Sequence, residues 1–239
     1  MTLKLIVLFA FSMLFVVAHA QSYELIQELT EPVSDNYFAD LSENAEVIVI
    51  SSNAAHLHIY YNVGGLFSHD EKHLLGDDYD IISTCITPDG RWIAMGGYKR
   101  GGILIKGRIS VLKYQPDSNG HSFFFSFSFD HTGVYGIGIS NDHQWLVAGH
   151  DYQNGMTIFR FLNETFNPYQ VIPLYSPVSS VDFADNNSFL IVGLYGKAVM
   201  VFKYNGEKYE KLQEFNYKNY IIRRAELTGD SKLSTITHG

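Results

Sequence analysis

Three short segments carry residue types that could do chemistry. His69–His73 (HDEKH) and Asp77–Asp80 (DDYD) hold imidazole and carboxylate groups, which bind transition metals and calcium respectively. Gly96–Gly102 (GGYKRGG) sets glycines around two cations, which suits a phosphate. The chemistry available to each segment depends on the backbone that carries it.

The surrounding sequence predicts strands and turns, which argues against a metal, calcium or phosphate site in these segments. On a regular strand, residues 69, 71 and 73 share one side but spread over about 13 Å, too far for one tetrahedral ion. The segment Asp77–Asp80 lacks the EF-hand spacing, and no strand–loop–helix context surrounds Gly96–Gly102. We therefore interpret them as a charged edge strand, a solvated turn and a hairpin loop, and predict no catalytic residue, metal or cofactor.

The turns recur at a fixed spacing. An apolar strand, an Asp/Asn/Gly turn and a second apolar strand repeat, and the apolar residue before each turn is Leu41, Ile86, Ile139, Phe183 or Leu227. The spacings are 45, 53, 44 and 44 residues. A period in the mid-forties built from short strands predicts propeller blades.

Two more alternating strands follow each repeated pair, as in GRISVLKY and HSFFFSFSF. The predicted fold is therefore all-β: a β-propeller of four-stranded antiparallel blades, with about four complete blades and partial terminal elements. The predicted blades span 33–75, 81–129, 134–174 and 178–215, with a partial unit at 221–239.

The turn TPDGRWIAMGG and the third-strand endings HIYY, VLKY, FRF and FKY resemble the repeats of the WD40 propeller family. The resemblance covers roughly Val33–Gly239, within a predicted domain of 21–239. The chain lacks the family's Gly-His and Trp-Asp dipeptides, so it is similar to a diverged member. The resemblance implies a rigid binding scaffold.

The first 20 residues indicate export. Lys4, the apolar run Leu5–Ala18 and Ala-His-Ala before Gln21 are typical of a cleaved signal peptide, so 1–20 is predicted to be removed and the product to be secreted or lumenal. An uncleaved N-terminal anchor is the alternative, and no membrane span is predicted in the mature chain. The single cysteine, Cys85, excludes a disulfide within the chain.

The net charge argues against one class of partner. Without residues 1–20 the chain has 17 − 1 = 16 cations against 25 acids, a net charge of −9. Because nucleic-acid affinity depends on neutralising phosphates, we predict no nucleic-acid partner.

The sequence is compatible with more than one way of closing the propeller ring. Tyr23–Leu29 could supply the outer strand of a last blade, but Ile221–Leu227 and Leu233–Thr237 give that blade only two strands. Exposed sheet edges are a liability. We expect either a piece of a larger propeller, a ring completed by another chain, or an irregular five-bladed ring.

Two sequons, at Asn163 and Asn186, fall on the turns of one propeller face and are predicted N-glycosylation sites. The opposite face is predicted to bind a partner, because it gathers aromatic and charged loop residues. The predicted partner-binding residues are Asp77, Asp78, Tyr98, Lys99, Arg100, His150, Asp151, Tyr152 and Tyr195.

The main functional prediction is a non-enzymatic binding or scaffold module for a protein or glycan. One alternative is a propeller enzyme, a hydrolase or quinoprotein-like oxidoreductase, with its residues in the central channel. The positions expected there hold Ser, Cys, Gly, Val and Asp without a pattern shared by all repeats, which counts against it. A fragment of a membrane-anchored receptor is the other alternative.

Overall fold

A computed structural model describes most of the chain. The described residues are 3–7, 16–20, 27, 29, 36–52, 56–99, 105–151, 155–195, 198–217, 222–227 and 233–238. They fall into two compact units, Met1–Thr30 and Glu31–Gly239.

The first unit contains an antiparallel pair, β1 (Leu3–Val7) and β2 (Val16–Ala20). Within the predicted strand Tyr23–Leu29 only Gln27 and Leu29 are described, and neither is in a strand. The rest of that prediction lies outside the described residues.

The second unit contains four four-stranded antiparallel sheets and one two-stranded sheet. Blade 1 consists of β3 (Asn36–Leu41), β4 (Val47–Ser52), β5 (His56–Val63) and β6 (Leu66–Leu74). Blade 2 consists of β7 (Tyr79–Ile86), β8 (Trp92–Lys99), β9 (Lys106–Gln115) and β10 (Gly120–Asp130). Blade 3 consists of β11 (Val134–Ile139), β12 (Trp145–His150), β13 (Met156–Leu162) and β14 (Thr165–Ile172). Blade 4 consists of β15 (Val178–Phe183), β16 (Phe189–Leu194), β17 (Ala198–Tyr204) and β18 (Tyr209–Asn216). The two-stranded sheet pairs β19 (Ile222–Leu227) with β20 (Leu233–His238).

The predicted fold class is confirmed. Each blade is an antiparallel meander in which consecutive strands pair. Every regular element among the described residues is a strand. In the part of the chain that the structure describes, no helix is long and apolar enough to cross a membrane.

A hydroxyl side chain shapes the repeated turn between the first two strands of a blade. In blade 2 the Trp92 N–H donates to Thr87 Oγ1 at 3.0 Å, and that hydroxyl donates to Asp89 at 2.6 Å. In blade 3 the Trp145 N–H donates in the same way to Ser140 Oγ at 2.9 Å. These side chains satisfy backbone groups that a tight turn leaves unpaired, which is why Ser/Thr and Asp recur at this spacing.

The blades share two irregularities in strand pairing. The first pair of strands shifts register near its start in every blade, as between Ile81 and Ser83, and the third and fourth strands shift register near Tyr60, Phe125, Phe159 and Phe202. Such bulges increase twist and change the side to which neighbouring residues point.

Large aromatic side chains pack between neighbouring blades. Trp92 of blade 2 contacts Phe161 and Phe166 of blade 3, with ring centroids 5.9 and 6.1 Å apart. The equivalent Trp145 of blade 3 contacts Tyr209 of blade 4 at 5.5 Å. These edge-to-face contacts hold the blades in a fixed relation around the channel that their first strands line.

Candidate active site in the central channel

The first strands of the sheets, β3, β7, β11, β15 and β19, together line a cavity of about 230 Å³. Each is the edge strand of its own sheet, so part of its backbone has no partner within the sheet. For β7, β11 and β19, channel side chains supply partners.

The partners come from the preceding blade. The Ile86 N–H donates to Asp40 Oδ2 at 3.1 Å, and the Leu227 N–H donates to Asp182 Oδ2 at 2.8 Å. One layer along the channel, two serine hydroxyl oxygens accept in the same way: Ser83 from Ile137 N–H at 3.0 Å and Ser180 from Ala225 N–H at 2.9 Å. Short polar side chains therefore join adjacent blades along the channel.

Five acidic residues and one arginine line this cavity. The carboxylates of Asp40, Asp182 and Glu226 are the ones that interact with the guanidinium group of Arg224. Arg224 Nη2 lies 3.9 Å from Asp40 Oδ1, so a side chain of β19 reaches a side chain of β3, and Arg224 Nε forms an ion pair with Glu226. The side chain of Asp40 is 25% exposed and that of Arg224 is 45% exposed, so a small molecule in the cavity can reach both.

Burial changes the acidity of two of these carboxyls. It raises the pKa of Asp182 to about 6, against the lowering effect of the Leu227 N–H, and the neighbouring Glu226 charge raises it further. Burial also raises the pKa of Asp40, opposed by the Ile86 N–H and Arg224. A carboxylate with a pKa near 6 can accept a proton and return it near neutral pH.

Cys85 lines the same cavity but is a poor nucleophile. Burial raises the pKa of its thiol, with a further contribution from the Asp40 charge. Since the thiolate is the reactive form, the channel chemistry available to this chain rests on the carboxylates and Arg224.

A larger cavity of about 750 Å³ continues from the first, because Phe38, Ser179 and Arg224 line both. Its other walls are mostly aromatic or apolar. They include Tyr98, Ile105, Tyr135, Pro177, Val178 and Tyr195, together with the polar residues Asp151 and Arg223. Tyr98 and Tyr135 stack with centroids 5.9 Å apart.

The structure brings some of the predicted partner-binding residues together. Tyr98, Asp151 and Tyr195 line this larger cavity. Asp78 and Lys99 form an ion pair at 3.9 Å, while Asp77 is exposed in the preceding turn. Arg100 and Tyr152 lie outside the described residues.

His150 is a core residue, contrary to its predicted place on an exposed loop. It is 2% exposed, and its Nε2 lies 2.9 Å from Thr157 Oγ1. Burial lowers the pKa of His150 to about 4, so the ring is neutral at physiological pH. The reason is register: His150 still pairs with Val134 and is the last residue of β12, not part of the loop.

The sequons lie on exposed turns. Asn163 begins the tight β13–β14 turn with a positive φ of 52°, and Asn186 accepts a hydrogen bond from the Ser188 N–H at 2.9 Å. Glycosylation at both stays a prediction. Among the residues that the structure describes, there is no group of three or more His, Cys, Asp or Glu side chains that could hold a metal ion.

Sequence reasoning missed the channel carboxylates. Asp40, Asp182 and Glu226 each stand directly before the apolar residue that ends the first strand of a repeat. The equivalent residues are Cys85 and Gly138, and the absence of one shared residue type hid the set. The usable signal was the acidic character of three of five aligned positions.

Comparison with known proteins supports the fold. No family model and no curated protein matches this chain. A structure assigned as a 6-phosphogluconolactonase from Bacteroides uniformis is 16% identical, with a TM-score of 0.66, over 85% of this chain and 64% of that one. A periplasmic gluconolactonase from Pseudomonas aeruginosa is 15% identical, with a TM-score of 0.66, over 90% and 65% of the two chains. The chain thus spans less than two thirds of the length of either structure.

These similarities contradict the main functional prediction. A non-enzymatic binding module was expected, but both similar structures are named as lactonases. They favour the alternative, a propeller-type enzyme. The fold is that of a diverged β-propeller, and no comparison shows that the chain belongs to the WD40 family.

Proposed function

We propose that this chain carries the site of a propeller-type hydrolase that opens a sugar lactone. The observation that carries the proposal is the buried carboxyl of Asp182, with a pKa near 6, beside Arg224 in the central channel. The fold shared with two lactonase structures supports it by analogy.

The residues present can divide the work of ester hydrolysis. The Asp182 carboxylate takes a proton from water as the water oxygen attacks the lactone carbonyl. The Arg224 guanidinium stabilises the oxyanion that forms on the carbonyl oxygen. The ring C–O bond then breaks, and the protonated Asp182 returns its proton to the departing alkoxide, which gives the open hydroxy acid.

The larger cavity fits the role of the substrate entrance. The aromatic rings of Tyr98, Tyr135 and Tyr195 offer apolar surfaces to the C–H face of a sugar ring. Arg223 and Arg224 offer donors to a carboxylate or phosphate on the substrate.

Several finer expectations accompany the proposal. The WD40-like type of repeat rests on the TPDGRW turn, and export rests on the leader-like residues 1–20. We also propose that further sequence or another chain completes the ring, because this chain spans 64% and 65% of the two similar structures.

The test is lactone hydrolysis followed by acid release in a pH-stat, with the spontaneous rate subtracted. We expect glucono-δ-lactone or its 6-phosphate to be opened above background, with kcat/KM rising with pH through about 6 as Asp182 ionises. Asp182→Asn is expected to lower kcat by about 10²- to 10⁴-fold, the usual contribution of a general base.

Asp117→Asn is the matched control, because Asp117 is an exposed carboxylate in the β9–β10 turn. Thermal unfolding must show that both variants fold. Background rates with both lactones would refute the proposed function. A wild-type rate in folded Asp182→Asn would refute only the role given to Asp182.

A further inference from the structure

Blade 1 contains a histidine pair that the spacing of residues along one strand does not reveal. Glu71 of β6 is paired with Ile59, but His69 is paired with Tyr60, because the register shifts at this point. Since paired residues share a face and Ile59 and Tyr60 point to opposite faces, His69 and Glu71 also lie on opposite faces. The expectation that residues 69, 71 and 73 share one side is therefore wrong.

The contacts of the two side chains agree with this. Glu71 faces blade 2, where its carboxylate accepts from the backbone N–H of His121 at 2.9 Å, and it also accepts from the hydroxyl of Tyr61 in its own blade at 3.2 Å. His69 lies on the other face, with its ring 5.1 Å from Tyr60 and 5.2 Å from His58. The bulge has moved His69 next to a histidine of the neighbouring strand.

The separation of the two imidazoles matches that of two ligands on one metal ion. His58 Nδ1 and His69 Nε2 are 3.1 Å apart. Two histidine nitrogens on a tetrahedral Zn²⁺, each about 2.0–2.1 Å from the ion, are separated by about 3.3 Å. Without metal, one ring donates its N–H to the other. With metal, that proton moves to the second nitrogen of its ring or to water, leaving both lone pairs for the ion.

We propose that His58 and His69 form a two-imidazole site for a first-row transition-metal dication such as Zn²⁺ on the β5–β6 hairpin. Imidazole ligands suit Zn²⁺ rather than Ca²⁺ or Mg²⁺, and water completes the coordination. The ligands are held in advance: His58 is 5% exposed within β5, and the buried Tyr60 ring flanks His69. The site is separate from the central channel and does not depend on the proposed hydrolase activity.

The experiment is calorimetric titration of the tag-free full chain with ZnCl₂ near pH 7.5, compared with His69→Ala. We expect one Zn²⁺ per chain. His69→Ala should bind Zn²⁺ at least about tenfold more weakly, because even the loss of a residue that only orients a metal ligand usually lowers the affinity by about that factor. His73→Ala is the matched control, because His73 is also half-buried on β6 but bonds Glu71 at 2.8 Å. It should keep the wild-type affinity.

A second measurement guards against an indirect effect of the substitution. In ¹H–¹⁵N spectra of the wild-type imidazoles, Zn²⁺ should shift His58 and His69 and leave His121 and His150 unchanged. The proposal is overturned if binding does not saturate, if His69→Ala binds as tightly as wild type, or if other histidines shift instead. In those cases the 3.1 Å contact is a shared-proton hydrogen bond only.

Discussion

Neighbouring blades are joined in two different ways, one in the outer layer and one along the channel. In the outer layer, Trp92 packs on Phe166 and Trp145 packs on Tyr209. Along the channel, Ser83 and Asp182 accept hydrogen bonds from the backbone of the next blade. Blades 2 and 3 are thus held by apolar burial on the outside and by a polar contact on the inside, while Asp182 joins blade 4 to the two-stranded sheet.

The aromatic contacts and the channel carboxyl differ in how they affect stability as the pH changes. Aromatic burial stabilises the fold at any pH at which the chain is folded, since none of these contacts needs a charge. Burial of Asp182 instead raises its pKa to about 6, which means that its ionised form lowers stability near neutral pH. A carboxyl whose pKa is shifted by burial is typical of functional sites, which agrees with the role that we propose for Asp182.

One contact between blades in the outer layer is not purely apolar. His121 of blade 2 occupies the position of Phe166 and Tyr209, near the start of the fourth strand. It stacks on Tyr61 of blade 1 at 5.8 Å and bonds the Gly90 carbonyl through Nε2 at 2.9 Å. The contact between blades 1 and 2 is therefore partly polar even in the outer layer.

The largest expected effect comes from removing an aromatic ring of the outer layer. Phe166→Ala deletes a side chain that is 2% exposed and leaves a cavity against Trp92, so we expect a loss of about 3–5 kcal/mol in the free energy of unfolding. Urea denaturation measures it. Phe123→Ala, at a position 61% exposed, should change stability little. Equal losses in the two variants would mean that the outer layer does not hold the blades.

The repeated turns and the blades could be predicted from the sequence, and the channel could be predicted only in part. The recurring turns predicted where blades begin, because Thr87 and Ser140 make local hydrogen bonds that depend on short spacing alone. The meeting of Asp40 with Arg224 joins residues from the first and last sheets, and no local pattern encodes such a contact. The placement of His69 was equally hidden, since a one-residue register shift reverses the face of a side chain.

The second prediction concerns the charge in the channel. The pKa of Asp182 is about 6 in the folded chain and its ordinary value is 3.8, so the folded state binds its proton more tightly. Between these values the folded state holds more protons than the unfolded state, and stability falls as pH rises, with the full penalty above about pH 6. Asp182→Asn does not have this penalty. We therefore expect the difference in the free energy of unfolding, Asp182→Asn minus wild type, to increase by about 2 kcal/mol from pH 4.5 to pH 7.5.

Comparing the two proteins at each pH isolates this carboxyl. Other titrating groups, such as His150, contribute equally to both proteins and cancel in the difference. The altered hydrogen bond to the Leu227 N–H changes the free energy of unfolding of the variant by the same amount at every pH. Urea denaturation at several pH values gives the slope, and a difference that does not change with pH would show that Asp182 titrates at its ordinary value.

The smallest effect expected is the loss of one channel hydroxyl. Ser83 is 6% exposed, and its oxygen accepts from the buried Ile137 N–H. Ser83→Ala leaves that N–H without its acceptor, which we expect to lower the free energy of unfolding by about 1–2 kcal/mol. Ser118→Ala, in the exposed β9–β10 turn, is the control and should be nearly neutral. A neutral Ser83→Ala would mean that the aromatic layer alone holds blades 2 and 3 together, and the channel residues would then be free to vary with function.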